Sequence, residues 1–142
     1  MKKVVFSTIF LLLTIGSVQA ASMGEVFAAV KHAHPLPNFM QVIKKHGDKL
    51  DLSEEQQQEI DAWIEKQRPV ATKIALSIRD DEKVLKEAAL NGASKENMTA
   101  QLDELLKKRK EIAEMKMDCR DKMRQLLGDE KWQKVVDLYK GM

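Results

Sequence analysis

From Ser53 to about Leu90, apolar residues recur at Ile60, Trp63, Ile64, Val70, Ala71, Ile74, Ala75, Ile78, Leu85, Ala88 and Ala89. At about 100° per residue they fill one stripe about 140° wide, the mark of an amphipathic helix. Pro69 lies inside this run and predicts a bend just before it, since proline removes a helical hydrogen bond and clashes with the preceding turn. Asp81 and Glu82 interrupt the stripe. A second run carries Met98, Leu102, Leu105, Leu106, Ile112, Ala113, Cys119, Met123, Leu126 and Leu127, with Arg109 and Lys116 set into it. Between the runs, Asn91-Gly92-Ala93-Ser94 reads as a tight turn, Gly92 ending one helix and Ser94 capping the next. Two long helices joined by so short a turn form an antiparallel hairpin with arms roughly 50 Å long.

The first arm has a strong start signal in Leu52-Ser53-Glu54-Glu55-Gln56. Ser53 can accept from the exposed N–H groups of the first turn, Gln56 can bond back to the Ser53 N–H, and the two glutamates favour the positive end of the helix dipole. A weaker copy, Leu127-Gly128-Asp129-Glu130-Lys131, precedes a last short helix with Trp132, Val135, Val136 and Tyr139 on one side. Residues 38–45 predict another short helix, starting after Pro37 and stopping near Gly47. The stretch 21–36, ending in His32-Ala33-His34-Pro35-Leu36-Pro37, predicts a flexible lead-in.

The expected fold is therefore all-α, a long helical hairpin with a short helix at each end, in one domain over residues 37–142. Helices of about ten residues cannot cover arms three times as long, so apolar stripe is expected to stay unpaired in a monomer and to drive homodimer formation.

Met1 to Ala20 stands apart. Lys2 and Lys3 precede an apolar run from Val4 to Ile15, and Val18-Gln19-Ala20 offers small residues at a cleavage site, which predicts a secretory signal peptide cut after Ala20. The apolar run is shorter than the ~20 residues a membrane anchor needs, so no stable membrane insertion is expected after cleavage. The whole chain has 24 basic and 22 acidic residues; losing Lys2 and Lys3 leaves 22 against 22. That balance gives no electrostatic reason to expect nucleic acid as a partner. With 32% charged and 5% aromatic residues, the composition suits elongated helices better than a compact enzyme. No HExxH, CxxC, phosphate loop or Ser-His-Asp arrangement is present, so the chain is not read as an enzyme. Its one cysteine, Cys119, excludes an intrachain disulfide.

With its signal peptide, its start motif, the diverged repeat and the short-long-long-short helix order, the chain resembles the Spy/CpxP family of periplasmic proteins, named for a repeated Leu-Thr-x-x-Gln motif. Ser53 replaces threonine but keeps the capping hydroxyl, and Gln56 supplies the glutamine. The second copy departs further, with Gly128 for threonine and Lys131 for glutamine. The resemblance implies a periplasmic protein that dimerises into a curved cradle. It also implies action as an ATP-independent chaperone for unfolded or misfolded envelope proteins, as a partner of a sensor-kinase periplasmic domain, or as a metal-responsive protein.

Two kinds of site follow. A client-binding or dimer surface would draw on Ile60, Trp63, Ile64, Ile74, Ile78, Leu102, Leu105, Ile112 and Met123, with Met40, Met98, Met115 and Met117 as adaptable contacts. The same residues could instead be ordinary core. A site for a divalent or soft metal ion, as in a Zn, Cu or Ni sensor or resistance protein, would use His32, His34 and His46, or Met115, Cys119 and Met123 spaced by four on one side of a helix. Otherwise the histidines are solvated and the thiol is buried and inert. Leu52, Ser53, Gln56, Leu127 and Asp129 are read as architectural.

Overall fold

The computed structural model describes residues 23–142. The expected signal peptide lies outside them. The described chain is helical, without strands: α1 (Met23–Ala29), α2 (Phe39–His46), α3 (Glu54–Leu90) and α4 (Lys95–Lys140), with single 3-10 turns at Lys31–Ala33 and Gly47–Lys49. Among the described residues no helix is long and apolar enough to cross a membrane.

The starts of α2, α3 and α4 and the end of α3 follow from capping chemistry. Asn38 accepts from the Gln41 N–H at the start of α2. Ser53 and Gln56 form the full capping box of α3: Ser53 Oγ accepts from the Gln56 N–H at 3.2 Å and Gln56 Oε1 from the Ser53 N–H at 3.1 Å. At its other end Gly92 takes a left-handed φ of 72°. The Ala93 N–H then reaches Ala88 O and the Gly92 N–H reaches Ala89 O, closing a Schellman motif that satisfies two orphan carbonyls. Ser94 caps α4 by accepting from the Asn97 N–H.

The expected bend at Pro69 does not divide α3, which runs on through it. Thr72, three residues later, donates its hydroxyl to Arg68 O at 2.7 Å. The long run does break, but at Gly128, whose φ of 71° and ψ of 167° lie outside helical space. That glycine separates the second arm from the closing helix, where the repeat motif placed the boundary.

α3 and α4 pack as the antiparallel hairpin. The acids that interrupt the first stripe meet Lys108 and Arg109 of the second arm. Lys108 Nζ donates to Asp81 Oδ2 at 2.5 Å and to Ser77 Oγ, and Arg109 Nη2 donates to Glu82 Oε1 at 2.6 Å. A slip along the hairpin would unpair both acids, so this half-buried ladder specifies the register.

The core has two parts. One joins Val26 of α1, and Val30 just past its end, to Ile74, Ala75 and Ile78 of α3 and to Leu105 and Ile112 of α4. The other joins Val42 and Ile43 of α2, Leu50, and Ile60 of α3 to Met123, Leu127 and Val135 of α4. Phe39 seals the second part with ring centroids 4.8 Å from Trp132 and 5.6 Å from Tyr139, in tilted pairs.

The stretch 21–36, expected as a flexible lead-in, is from Met23 onward a helix and a turn whose Val26 and Val30 are buried against the hairpin. Glycine and alanine in the segment drew the expectation towards mobility, but valines four apart give it one apolar edge, and the hairpin supplies what that edge needs.

Candidate functional site

The extra helix changes which apolar residues remain available. Of the surface expected from the stripe, Ile60, Ile74, Ile78, Leu105, Ile112 and Met123 are all buried within the single chain. Trp63 and Ile64 are half-buried against the second core cluster. Only Leu102 is exposed, at 39%. The stripe centres are thus core. The cause is three-sided cover, by α1 at the middle of the hairpin and by α2 and the segment after Gly128 at its base.

What stays exposed lies on the flanks of the stripes. On the long arms these residues are Val70, Val84, Leu90, Leu102, Leu106 and Met117. Val84, Leu90, Leu102 and Leu106 lie on the turns of the arms nearest Asn91–Ser94, where the neighbouring Leu85 and Leu105 still pack in the cluster that α1 covers. Leu102, Leu106 and Met117 fall within a sector of about 60° on α4. Leu102, Leu106 and Val70 could be picked out as stripe members from sequence, but their exposure could not. Val84 falls outside the periodic pattern altogether. Lys83, Lys86, Glu87, Lys95, Asp103, Glu104 and Lys107 are exposed around them, with Lys107 paired to Glu104 at 2.5 Å.

The histidines go to separate partners. His32 Nε2 lies 2.8 Å from Glu82 Oε1, the oxygen that also accepts from Arg109. Burial pushes the Glu82 carboxyl up, but hydrogen bonds from Arg109 and His32 outweigh it and hold the group below its ordinary value. His34 Nδ1 accepts from the Leu36 N–H at 3.3 Å. Burial, then the nearby Lys116 ammonium, lowers its pKa. His46 lines a shallow cleft at the base with Lys134, Asp137 and Leu138. Among the described residues, no three His, Cys, Asp or Glu side chains gather as a metal would require.

Met115, Cys119 and Met123 follow one side of α4 over about 12 Å and are divided between the two core clusters. Met115 packs on the first, Cys119 lies at the edge of the second, and Met123 is fully buried in it. Burial pushes the Cys119 thiol up, against smaller opposite effects of Lys116 and a hydrogen bond with Trp63. Such a thiol is a weak nucleophile.

The two start motifs, offset by 75 residues, are joined directly. Gln56 Nε2 donates to Leu126 O at 2.8 Å, and Gln56 Oε1 accepts from Lys131 Nζ at 2.8 Å. Lys131 Nζ also donates to Asp51 O. The fifth residue of one motif therefore bonds the fifth of the other, at the break made by Gly128. Sequence reasoning placed both motifs as helix starts but not side by side; nothing in a capping pattern reports on a partner so distant in the chain.

Comparison with known protein families, with curated proteins and with solved structures finds no match.

Proposed function

We propose that this is an exported, periplasmic holding protein that binds unfolded segments of envelope proteins without ATP. The observation that carries the reading is the set of large apolar side chains left open on the outer hairpin, Val84, Leu90, Leu102 and Leu106, among lysines and acids of both signs. Apolar residues there offer weak contact without sequence specificity, and the surrounding charges keep the protein soluble and make hydrogen bonds to exposed backbone. The sequence-level resemblance of Leu52 to Gln56 to the Leu-Thr-x-x-Gln motif, and the secretory leader, support the same reading.

The centre of the stripe is covered within one chain, so a homodimer would draw on the exposed flanks, the outer hairpin together with Val70 and Met117. Among the described residues, no gathered set of His, Cys, Asp or Glu supports the metal-sensing alternative. The test is suppression of aggregation of a chemically unfolded client by the purified mature protein. The protein should suppress it at stoichiometric ratio, and Leu90→Ser with Leu102→Ser and Leu106→Ser should lose most of that activity while keeping the helical circular dichroism. Unchanged suppression by a folded triple variant would remove the proposed surface.

A further inference from the structure

At the base of the hairpin two elements bring cations together. α2 closes through Lys45 and His46, the 3-10 turn after it carries Lys49, and the segment of α4 beyond Gly128 brings Lys134 to them, so that all four line one open cleft of about 740 Å³. Sites for small ligands are commonly about this large. Among the described residues Lys45 and Lys49 have no ion-pair partner, and Lys134 has only the exposed Glu130 at 3.5 Å. Asp137, the one acid that lines the cleft, already accepts from Gln133 Nε2 at 3.0 Å. Cations in the last turn of a helix answer its dipole, which accounts for Lys45 and His46. It does not account for Lys134, which lies between the two ends of its segment. Three lysines facing one aspartate thus leave a local excess of positive charge in a mature chain of balanced charge.

We infer that this cleft docks the protein on an anionic phospholipid surface, with lipid phosphate groups held between Lys45, Lys49 and Lys134. A lysine ammonium binds phosphate as a point charge with rotatable donors and needs no fixed plane, which suits a mobile headgroup. The apolar side chains beside the cations favour a lipid over a free phosphate ion. Leu138 and Met142 line the same cleft, and Met142 and the neighbouring Tyr139 are exposed at 61% and 39%. Lysines next to exposed apolar and aromatic side chains match the boundary between charged headgroups and acyl chains. Val84, Leu90, Leu102 and Leu106 lie towards the other end of the arms, so docking through the base leaves the outer hairpin open. Vesicle binding and aggregation suppression use different residues, so either can fail alone.

The experiment is co-sedimentation of the full mature chain with vesicles of phosphatidylglycerol and phosphatidylcholine in equal parts, set against vesicles of phosphatidylcholine alone. Binding should require phosphatidylglycerol and should fall steeply as salt rises from about 0.02 M to about 0.3 M, because the screening length shortens. Lys45→Gln with Lys49→Gln and Lys134→Gln should weaken it roughly tenfold or more, as expected for three lysines held at an anionic surface. Lys66→Gln with Lys73→Gln and Lys110→Gln removes the same charge from exposed positions outside the cleft, and should change binding less than about twofold. Aggregation suppression by the cleft variant should stay at the wild-type level. Equal binding to both kinds of vesicle, or equal loss in the two triple variants, overturns the inference. So does displacement from the vesicles by millimolar inorganic phosphate at constant ionic strength, which would make the cleft a site for the free ion, and so does binding to polyglutamate in place of the vesicles, which would point to an acidic protein. Should the triple cleft variant not fold, Lys134→Gln alone should still weaken vesicle binding about threefold, and unchanged binding by that variant overturns the inference equally.

Discussion

Replacing Gln56 with alanine tests whether the paired start motifs hold the base of the hairpin together. The change removes three bonds at once: the return half of the capping box to the Ser53 N–H at 3.1 Å, the contact with Lys131 at 2.8 Å, and the donation to Leu126 O at 2.8 Å. The capping half contributes roughly 0.5–1 kcal/mol. The bond to a half-buried backbone carbonyl beside the Gly128 break contributes about 1 kcal/mol. The Lys131 contact adds at most a few tenths of a kcal/mol, because a partly solvated ammonium is nearly as well served by water. The expected loss is about 2 kcal/mol, or roughly 8 °C in Tm for a domain of this size. Urea and thermal unfolding followed by circular dichroism measure it. Ser53→Ala should cost only about 1 kcal/mol, since it removes a cap and nothing at Leu126. Gln56→Glu keeps both acceptor roles and loses the donor, so it should fall between the two. If Gln56→Ala proves no worse than Ser53→Ala, the bond to Leu126 contributes nothing and the motifs are neighbours without being coupled.

Gly128→Ala should destabilise the protein by about 1–3 kcal/mol in the same assays, because its dihedrals lie where only glycine is at ease; a Cβ there meets nothing within 4 Å, so a neutral result would show that the break can relax. His34 has a lowered pKa in the fold, so the stability it permits is fully present above its ordinary value of 6.5 and declines as pH falls from there through the folded value. A urea series from pH 8 to 5 should show that decline, and His34→Gln should flatten it; an unchanged slope would assign the acid sensitivity elsewhere. Cys119, with its thiol pushed up by burial, should react with a disulfide reagent much more slowly than a free cysteine and at an ordinary rate in denaturant.

Local chemistry was legible without the fold. Ser53 and Gln56 announce a capping box, Asn91 to Ser94 a turn, and Gly128 a boundary, because each acts on backbone groups within a few residues. Periodicity likewise located both arms, since a helix must show its buried side every three or four residues. The candidate surface was not legible in the same way. Ile74, Ile78, Leu105 and Ile112 look alike whether their cover comes from a second copy, a client or α1, and the stripe carries no label for its partner. The docked helix and turn over residues 23–33 are not legible for the related reason that two valines make a weak pattern until a receptive face stands opposite them.

The sequence by itself thus determined the all-α class, the two arms, their caps and the turn between them, all of which follow from hydrogen bonds and side-chain spacing along one helix. Only the tertiary structure decided that α1 closes the middle of the hairpin, that Asp81 and Glu82 meet Lys108 and Arg109, and that Gln56 reaches Leu126. Those are choices among partners distant in the chain. They are settled by packing geometry and by the cost of leaving a half-buried charge or carbonyl unpaired, neither of which a local pattern records.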